Sequence, residues 1–238
     1  MRRPATGPRR RKDVITFSKL LTEDEQQQFM VYLKKRAVTV RGKGVYLICD
    51  ILLNTGLRIV ELAALRVQDT PLVLNENVIE VYMGKGRKDR SIPVSQRLAD
   101  AIRNYIKKVR PKTLPRHIRR GDVTKPVFYS RNHRPYLQRV TIVNKKTGEY
   151  KERTRASTAL YKAIHILAMS AGITKLIHPH MFRHTFAVNA LKSGIDIYRL
   201  CDLMGHSDIT ITAKYLHIVD TQPKKLGERL DRYFDYLF

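Results

Sequence analysis

Acidic residues are scarce in this chain. Its 238 residues hold 21 Asp and Glu against 46 Lys and Arg, a formal net charge of +25. A surplus of that size exceeds what solubility asks for and points to a polyanionic partner, most simply nucleic acid. Cysteine is scarce as well. Cys49 and Cys201 each sit inside an apolar helical pattern, which argues against a disulfide framework and reads as two reduced core thiols of a cytosolic protein. Long apolar runs are missing: Val45–Leu53 is short and contains Asp50, so no membrane-spanning helix is expected. The arginines near the N-terminus have no apolar segment behind them and do not open a signal peptide. There is no internal repeat and no heptad series. Gly84-Lys85-Gly86 lacks the Walker spacing of a nucleotide-binding loop, and no Gly-x-Ser-x-Gly elbow of a serine hydrolase occurs.

What is present is concentrated in Ile177–Ala187, where His178, His180 and His184 surround Arg183. Pro179 suits a first helical turn, since its missing N–H would be unpaired there. Gly194 suits the position just past the helix end. His180 and Arg183 are three apart and share a face, while Phe182, Phe186, Val188 and Leu191 cover the core side. A cation and an imidazole projecting together suit an anionic substrate. Zinc is the competing reading of the histidines. His180 and His184 have i,i+4 spacing, but Met181 stands where His-Glu-x-x-His needs Glu, and Arg183 would repel a dication. No metal and no cofactor are expected.

Residues 1–20 read as a basic flexible arm in which Arg9, Arg10 and Arg11 lie along a phosphate backbone, or as a tail that only adds solubility. Thr22 and Glu25 form a capping box for a helix reaching Arg36. Arg41-Gly42-Lys43-Gly44 is expected to separate it from a buried helix over Val45–Leu53. Thr55-Gly56 turns into a helix near Leu57, with Leu57, Val60, Ala64 and Leu65 inward. Arg58 and Glu61 share a face there. An arginine at a helix N-terminus opposes the macrodipole and requires an anion, either Glu61 or a phosphate. Val78–Met83 and Ser91–Val94 form an edge hairpin. Its tip presents Lys85, Arg87, Lys88 and Arg90, for DNA contact or for protection of the edge. A helix covers Gln96–Lys108. Residues 110–156, which include Lys145 and Lys146, read as a basic DNA-facing insertion or a loop, with a short strand at Val127–Tyr129 and a small hairpin from Val140. Helices follow over Ser157–Ala171 and Ile197–Met204, the second capped by Asp196. Ser207 is expected to cap a helix that carries Tyr215 about two turns in. Residues 220–238 end in large apolar side chains that fold back or dock on a neighbouring subunit. The sum is an α+β chain, mostly α-helical, with a small antiparallel sheet.

Cations, imidazoles and a phenol suit phosphoryl transfer, which proceeds by positioning and electrostatics. Two arginines hold non-bridging oxygens, a lysine protonates a leaving oxygen, and a tyrosine forms a covalent intermediate that conserves the phosphodiester bond energy. Four boxes carry a specific resemblance. Thr55-Gly56-Leu57-Arg58-x-x-Glu61-Leu62, Gly84-Lys85-Gly86 with Lys88 and Arg90, His180-x-x-Arg183-His184-Thr185-Phe186-Ala187, and Gly205-His206 followed by Tyr215 resemble the tyrosine recombinases, the phage-integrase family. The likeness runs from about Thr22 to the C-terminus.

The resemblance implies the family's catalytic fold over residues 21–238. It implies that Arg58 and Arg183 clamp the scissile phosphate and that Lys85 is the general acid to the 5′ oxygen. His180 accepts a proton or donates a hydrogen bond, His206 bonds a non-bridging oxygen, and Tyr215 attacks to give a 3′-phosphotyrosyl linkage. Glu61 supports the cluster. It further implies a site-specific recombinase on double-stranded DNA, in the cytoplasm on the nucleoid, working as a homo-oligomeric tetramer on paired sites. Family members carry a helical DNA-clamping domain ahead of this one. Only residues 1–21 precede Thr22, so a minimal recombinase or an accessory DNA-binding protein is expected. The alternatives are type IB topoisomerase-like relaxation and a binding-only regulator of a partner recombinase.

Overall fold

Thr22 opens the first helix as its spacing predicts. Its hydroxyl accepts from the Glu25 amide at 3.2 Å, and the Glu25 carboxylate accepts from the Thr22 amide at 2.7 Å. The computed structural model describes residues 15–82, 89–115, 117–118, 121–130, 132–143 and 150–219. Arg9, Arg10, Arg11, Lys85, Arg87, Lys88, Lys145, Lys146 and the tail from 220 lie outside the described residues.

Helix α1 spans Glu23–Arg36 and α2 spans Val40–Thr55. The expected break at Gly42 and Gly44 does not occur. Thr39 caps α2 ahead of both, its hydroxyl accepting from the Gly42 amide at 2.9 Å. Gly44 lies under the Tyr105 ring, where an added Cβ would come within 3.2 Å of the hydroxyl oxygen. These glycines serve close packing instead of a turn. Gly56 then ends α2 at φ +62°, and Phe186 occupies the space its Cβ would need. The next helix, α3, spans Ile59–Ala64. It buries Ile59, Leu62 and Ala63 between Leu57 and Leu65, while Val60 is half-buried and Ala64 exposed. The inward face is therefore rotated from the one expected.

After a short α4 (Pro71–Leu74), β1 (Val78–Val81) pairs antiparallel with β2 (Arg90–Pro93), Val78 opposite Pro93 and Val81 opposite Arg90. Helix α5 (Gln96–Asn104) continues through a wide π turn, Tyr105–Val109. The region 110–156 is not the loop or exposed insertion expected throughout. Arg110, Val127, Phe128 and Tyr136 are buried, and Phe128 packs on Tyr105 with ring centroids 5.2 Å apart. The strand expected at Val127–Tyr129 is replaced by isolated bridges, Arg66 to Pro126 and Tyr129 to Pro135. The hairpin is longer than expected: β3 (Leu137–Val143) pairs antiparallel with β4 (Tyr150–Ala156).

Helix α6 covers Thr158–Ser170, and α7 covers Pro179–Lys192. The spine of the fold is α7, because two of its sides are buried. Met181 and Phe182 enter the main core, where Phe182 meets Phe29 of α1 with centroids 6.1 Å apart and the helix packs on α2. Ala187, Val188 and Ala190 close a second cluster with Leu200, Met204, Tyr215 and Ile218. Each large apolar side chain so buried contributes roughly 1.5–3 kcal/mol. Among the described residues the second cluster fixes the last three elements, α8 (Ile197–Met204), α9 (Ile209–Ala213) and α10 (Leu216–Val219).

Three local expectations fail in this part. Asp208, not Ser207, caps α9, its carboxylate accepting from the Thr210 amide at 2.8 Å. Tyr215 sits in the link between α9 and α10, not two turns into one helix. Cys49 is buried but Cys201 is only half-buried, so one thiol, not two, belongs to the core. Among the described residues no helix is long and apolar enough to cross a membrane.

Candidate active site

Three consecutive carbonyls end α8, and each accepts from a different arginine. Leu203 O takes Arg90 Nε at 2.8 Å, Met204 O takes Arg183 Nη2 at 2.5 Å, and Gly205 O takes Arg58 Nη2 at 3.3 Å. The last carbonyls of a helix lack intrahelical partners and carry the negative end of its dipole, so they suit cations.

Glu61 is the second anchor. Its Oε1 accepts from Arg58 Nη1 at 2.8 Å, and its Oε2 accepts from the Arg58 amide and from Arg90 Nη2, both at 2.8 Å. Burial alone would raise the carboxyl's pKa, but the hydrogen bonds and charge of Arg90, helped by Arg58, bring it below the ordinary value. The misfit of Arg58 at a helix N-terminus is thus met inside the chain. Arg90 is a correction: expected at the hairpin tip on DNA, its side chain is 8% exposed and turned inward onto Glu61 and Leu203.

Arg183 is buried from the middle of the first turns of α7. Its Nη1 donates to Gly56 O at 2.6 Å and its Nη2 also approaches His206 Nε2 at 2.9 Å. Burial, with Arg58 beside it, lowers its pKa to about 9 against the opposing pull of Glu61 and Tyr215, and it stays charged at neutral pH. A guanidinium only donates, so His206 Nε2 must accept, and Nδ1 carries the ring proton. That N–H points to the hydroxyl of buried Thr212 at 2.8 Å. Burial and the charges of Arg183, Arg58 and Arg90 depress His206 to about 3. In this geometry His206 becomes a donor to a phosphate oxygen only by taking up a proton.

Tyr215 is 2% exposed, and its hydroxyl lies 2.8 Å from His184 Nδ1. Burial pushes the phenol up to about 12, with Arg183 and Arg58 pulling it down. Burial also pushes His184 down to about 4, aided by His180, His178, Arg183 and Lys19. His180 stands exposed on the first turn of α7, its ring 6.4 Å from those of His178 and His184. Its pKa is lowered by partial loss of solvent and by His178, Arg183 and Arg58. Among the described residues no trio of His, Cys, Asp or Glu is placed to hold a metal ion. The structure therefore brings together Arg58, Glu61, Arg183, His206 and Tyr215, with His180 at the rim. Sequence reading missed the inward role of Arg90, the Thr212 support of His206, and the contact of His184 with Tyr215. Only the last left a signal, in the adjacency of His184 to Arg183.

An arginine cluster tied to one helix end, with a phenol seated beside it, has the build of a tyrosine-recombinase catalytic domain. Solved structures agree on the fold. A XerA recombinase superposes with a TM-score of 0.66 at 25% identity, over 88% of this chain and 64% of that one. A XerH site-specific recombinase bound to palindromic difH substrate gives 0.65 at 18% identity, over 91% and 54%. Residues 19–222 match the Phage integrase family, and the chain belongs to that family. A tyrosine recombinase of Pseudothermotoga lettingae is 30% identical over 187 residues, 77% of this chain and 53% of the relative. The tyrosine recombinase XerD of Staphylococcus saprophyticus is 29% identical over 177 residues, 74% and 51%. The chain spans about half the length of these curated relatives.

Proposed function

We propose that this chain cuts and rejoins double-stranded DNA at specific sites through a 3′-phosphotyrosyl intermediate. The observation that carries the reading is the convergence of Arg58, Arg183 and His206 on the end of α8, with the Tyr215 hydroxyl seated on the same helix, α7, that supplies Arg183. Arg58 and Arg183 bind the non-bridging oxygens of the scissile phosphate, where fixed donors stabilise charge at no cost of reorganisation during the reaction. Tyr215 attacks phosphorus, and Lys85 protonates the departing 5′ oxygen. His180, at the rim, hydrogen-bonds the phosphate. Glu61 keeps Arg58 oriented.

The net charge of +25 supplies non-specific affinity for the backbone. Arg9, Arg10, Arg11, Arg87, Lys88, Lys145 and Lys146 contribute to it. The working unit is a tetramer on two paired sites in the cytoplasm, on nucleoid DNA, with or without an accessory DNA-binding protein.

The test is covalent capture from a pool of nicked duplexes with a randomised centre, in which cleavage releases a short strand and traps the adduct. Wild type forms an SDS-stable protein–DNA adduct in the presence of EDTA, and Tyr215→Phe forms none. Absence of a wild-type adduct across the pool, or an adduct that persists in Tyr215→Phe, overturns the proposal.

A further inference from the structure

We propose that His184 is a further catalytic residue: it takes the Tyr215 proton as the phenol attacks phosphorus and returns it during rejoining. The inference rests on the strand-transfer reading above. Its geometric basis is the 2.8 Å contact between the Tyr215 hydroxyl and His184 Nδ1, within the range a proton acceptor needs. The two rings lie 5.8 Å apart, centroid to centroid. His184 follows Arg183 directly on α7, so one rigid helical turn fixes both the phosphate clamp and the acceptor.

The neighbouring groups are less suited to the task. Arg58 and Arg183 have no lone pair to offer. The two nitrogens of His206 are engaged by Arg183 and Thr212. His180 stands at the exposed rim, one ring further away. The groups facing His184 are Lys19 ahead of α1, His178 at the N-cap of α7, His180 and Arg183 on α7, and Tyr215 from the α9–α10 link. With burial, the cations among them keep the imidazole neutral at pH 7, and in the tautomer protonated at Nε2 the Nδ1 lone pair faces the hydroxyl. A phosphodiester held by Arg58 and Arg183 brings a negative charge that offsets those cations and raises the imidazole's proton affinity.

The step balances. The Tyr215 O–H bond breaks and its proton moves to His184 Nδ1, giving imidazolium. The bond from Tyr215 oxygen to phosphorus forms as the bond from phosphorus to the 5′ oxygen breaks, and that oxygen takes a proton from Lys85. Rejoining runs in reverse: the 5′ hydroxyl attacks, Lys85 recovers its proton, and His184 returns the other to the phenol.

The test uses the duplex captured with wild type, so adduct formation by wild type and its loss in Tyr215→Phe report on the parent reading separately. His184→Asn keeps a hydrogen-bond acceptor near the Nδ1 position but accepts no proton. Its adduct-forming rate is expected to fall about a hundredfold or more. The residual rate is expected to rise about tenfold per pH unit as phenolate accumulates, where wild type is flat. His184→Gln, with matched thermal stability and DNA affinity, serves if the Asn variant folds poorly. A second duplex carries sulfur at the 5′ bridging position and needs no leaving-group acid. Lys85→Ala recovers on it, while His184→Asn stays slow. A His184→Asn rate within threefold of wild type, an unchanged pH profile, or full recovery on the sulfur duplex overturns the assignment.

Discussion

Replacing Glu61 by Gln removes one negative charge and almost no volume. In the native chain that carboxylate bonds Arg58 and Arg90, and the side chains of Glu61 and Arg90 are each only 8% exposed. Removing one partner of a buried ion pair costs roughly 3–5 kcal/mol, since the other charge is left uncompensated. The Gln carbonyl still accepts from one arginine, which places the loss near the lower end, about 3 kcal/mol. For a chain of this size each kcal/mol moves Tm by about 2–4 °C, so Tm is expected to fall by roughly 6–12 °C at pH 7. The pH dependence has a definite sign. The carboxyl's pKa is lowered by folding, so its stabilisation is present above the ordinary value of 4.5 and is lost as pH falls through the native value. The gap between wild type and Glu61→Gln therefore persists from pH 7 to near 4.5 and closes below it. Calorimetry across that range, with circular dichroism as a second probe, measures both. A gap below about 2 °C at pH 7, or one that widens on acidification, refutes the reasoning that Glu61 is the counter-ion of both arginines.

The other expectations are independent of that pair. Arg97→Met strips the bidentate partner, at 2.7 and 2.9 Å, from the buried Asp50 carboxylate. Because Arg97 itself is largely exposed, the cost is about 2 kcal/mol by urea unfolding, and a loss under about 0.5 kcal/mol contradicts it. Gly205→Ala forces an L side chain to φ +60° and sets its Cβ 2.9 Å from Arg90 Nη1. Adduct formation is expected to drop at least tenfold although no functional side chain changes; a wild-type rate contradicts the anchoring role of this turn. DNA affinity is expected to fall linearly on a log–log salt plot with a slope steeper than about −5, as six or more neutralised phosphates require. A slope near −1, read by fluorescence anisotropy, contradicts a backbone-dominated grip.

Signals confined to a few adjacent residues were legible in the sequence. The Thr22–Glu25 box, the Asp196 cap and Pro179 at the start of α7 stand where spacing puts them, because each works within one turn. So does the Arg58–Glu61 pair. The failures at Gly44 and Arg90 involve partners far away in the chain, whereas Ser207 lost its cap to the adjacent Asp208. Gly44 read as a breaker because the Tyr105 ring that packs over it lies sixty-one positions on (105 − 44). Arg90 read as a surface cation because its acceptors, Glu61 and Leu203, lie on other elements. Val127 and Phe128 sit in so basic a stretch that charge density hid their burial. For the site, the boxes named the side chains; they did not reveal that main-chain carbonyls hold them.

Those carbonyls bear on how the reaction is primed. Except at Glu61, which its arginines hold ionised, the shifts at the centre run against charge: Arg183 is lowered, His184 and His206 are lowered, and Tyr215 is raised. Burial is the first cause of each. The acceptors at the end of α8 keep three guanidiniums in place without neutralising them, which leaves a net positive surplus for an anion to meet. A bound phosphodiester reverses the pressure on the cations and imidazoles, and lets His206 gain the proton it needs to donate. The same negative charge opposes ionisation of Tyr215. Phenolate formed ahead of the attack is therefore the wrong species for this centre. On the proposed reaction the proton leaves as the bond to phosphorus forms, and the proposed acceptor, His184 Nδ1, lies 2.8 Å from that hydroxyl.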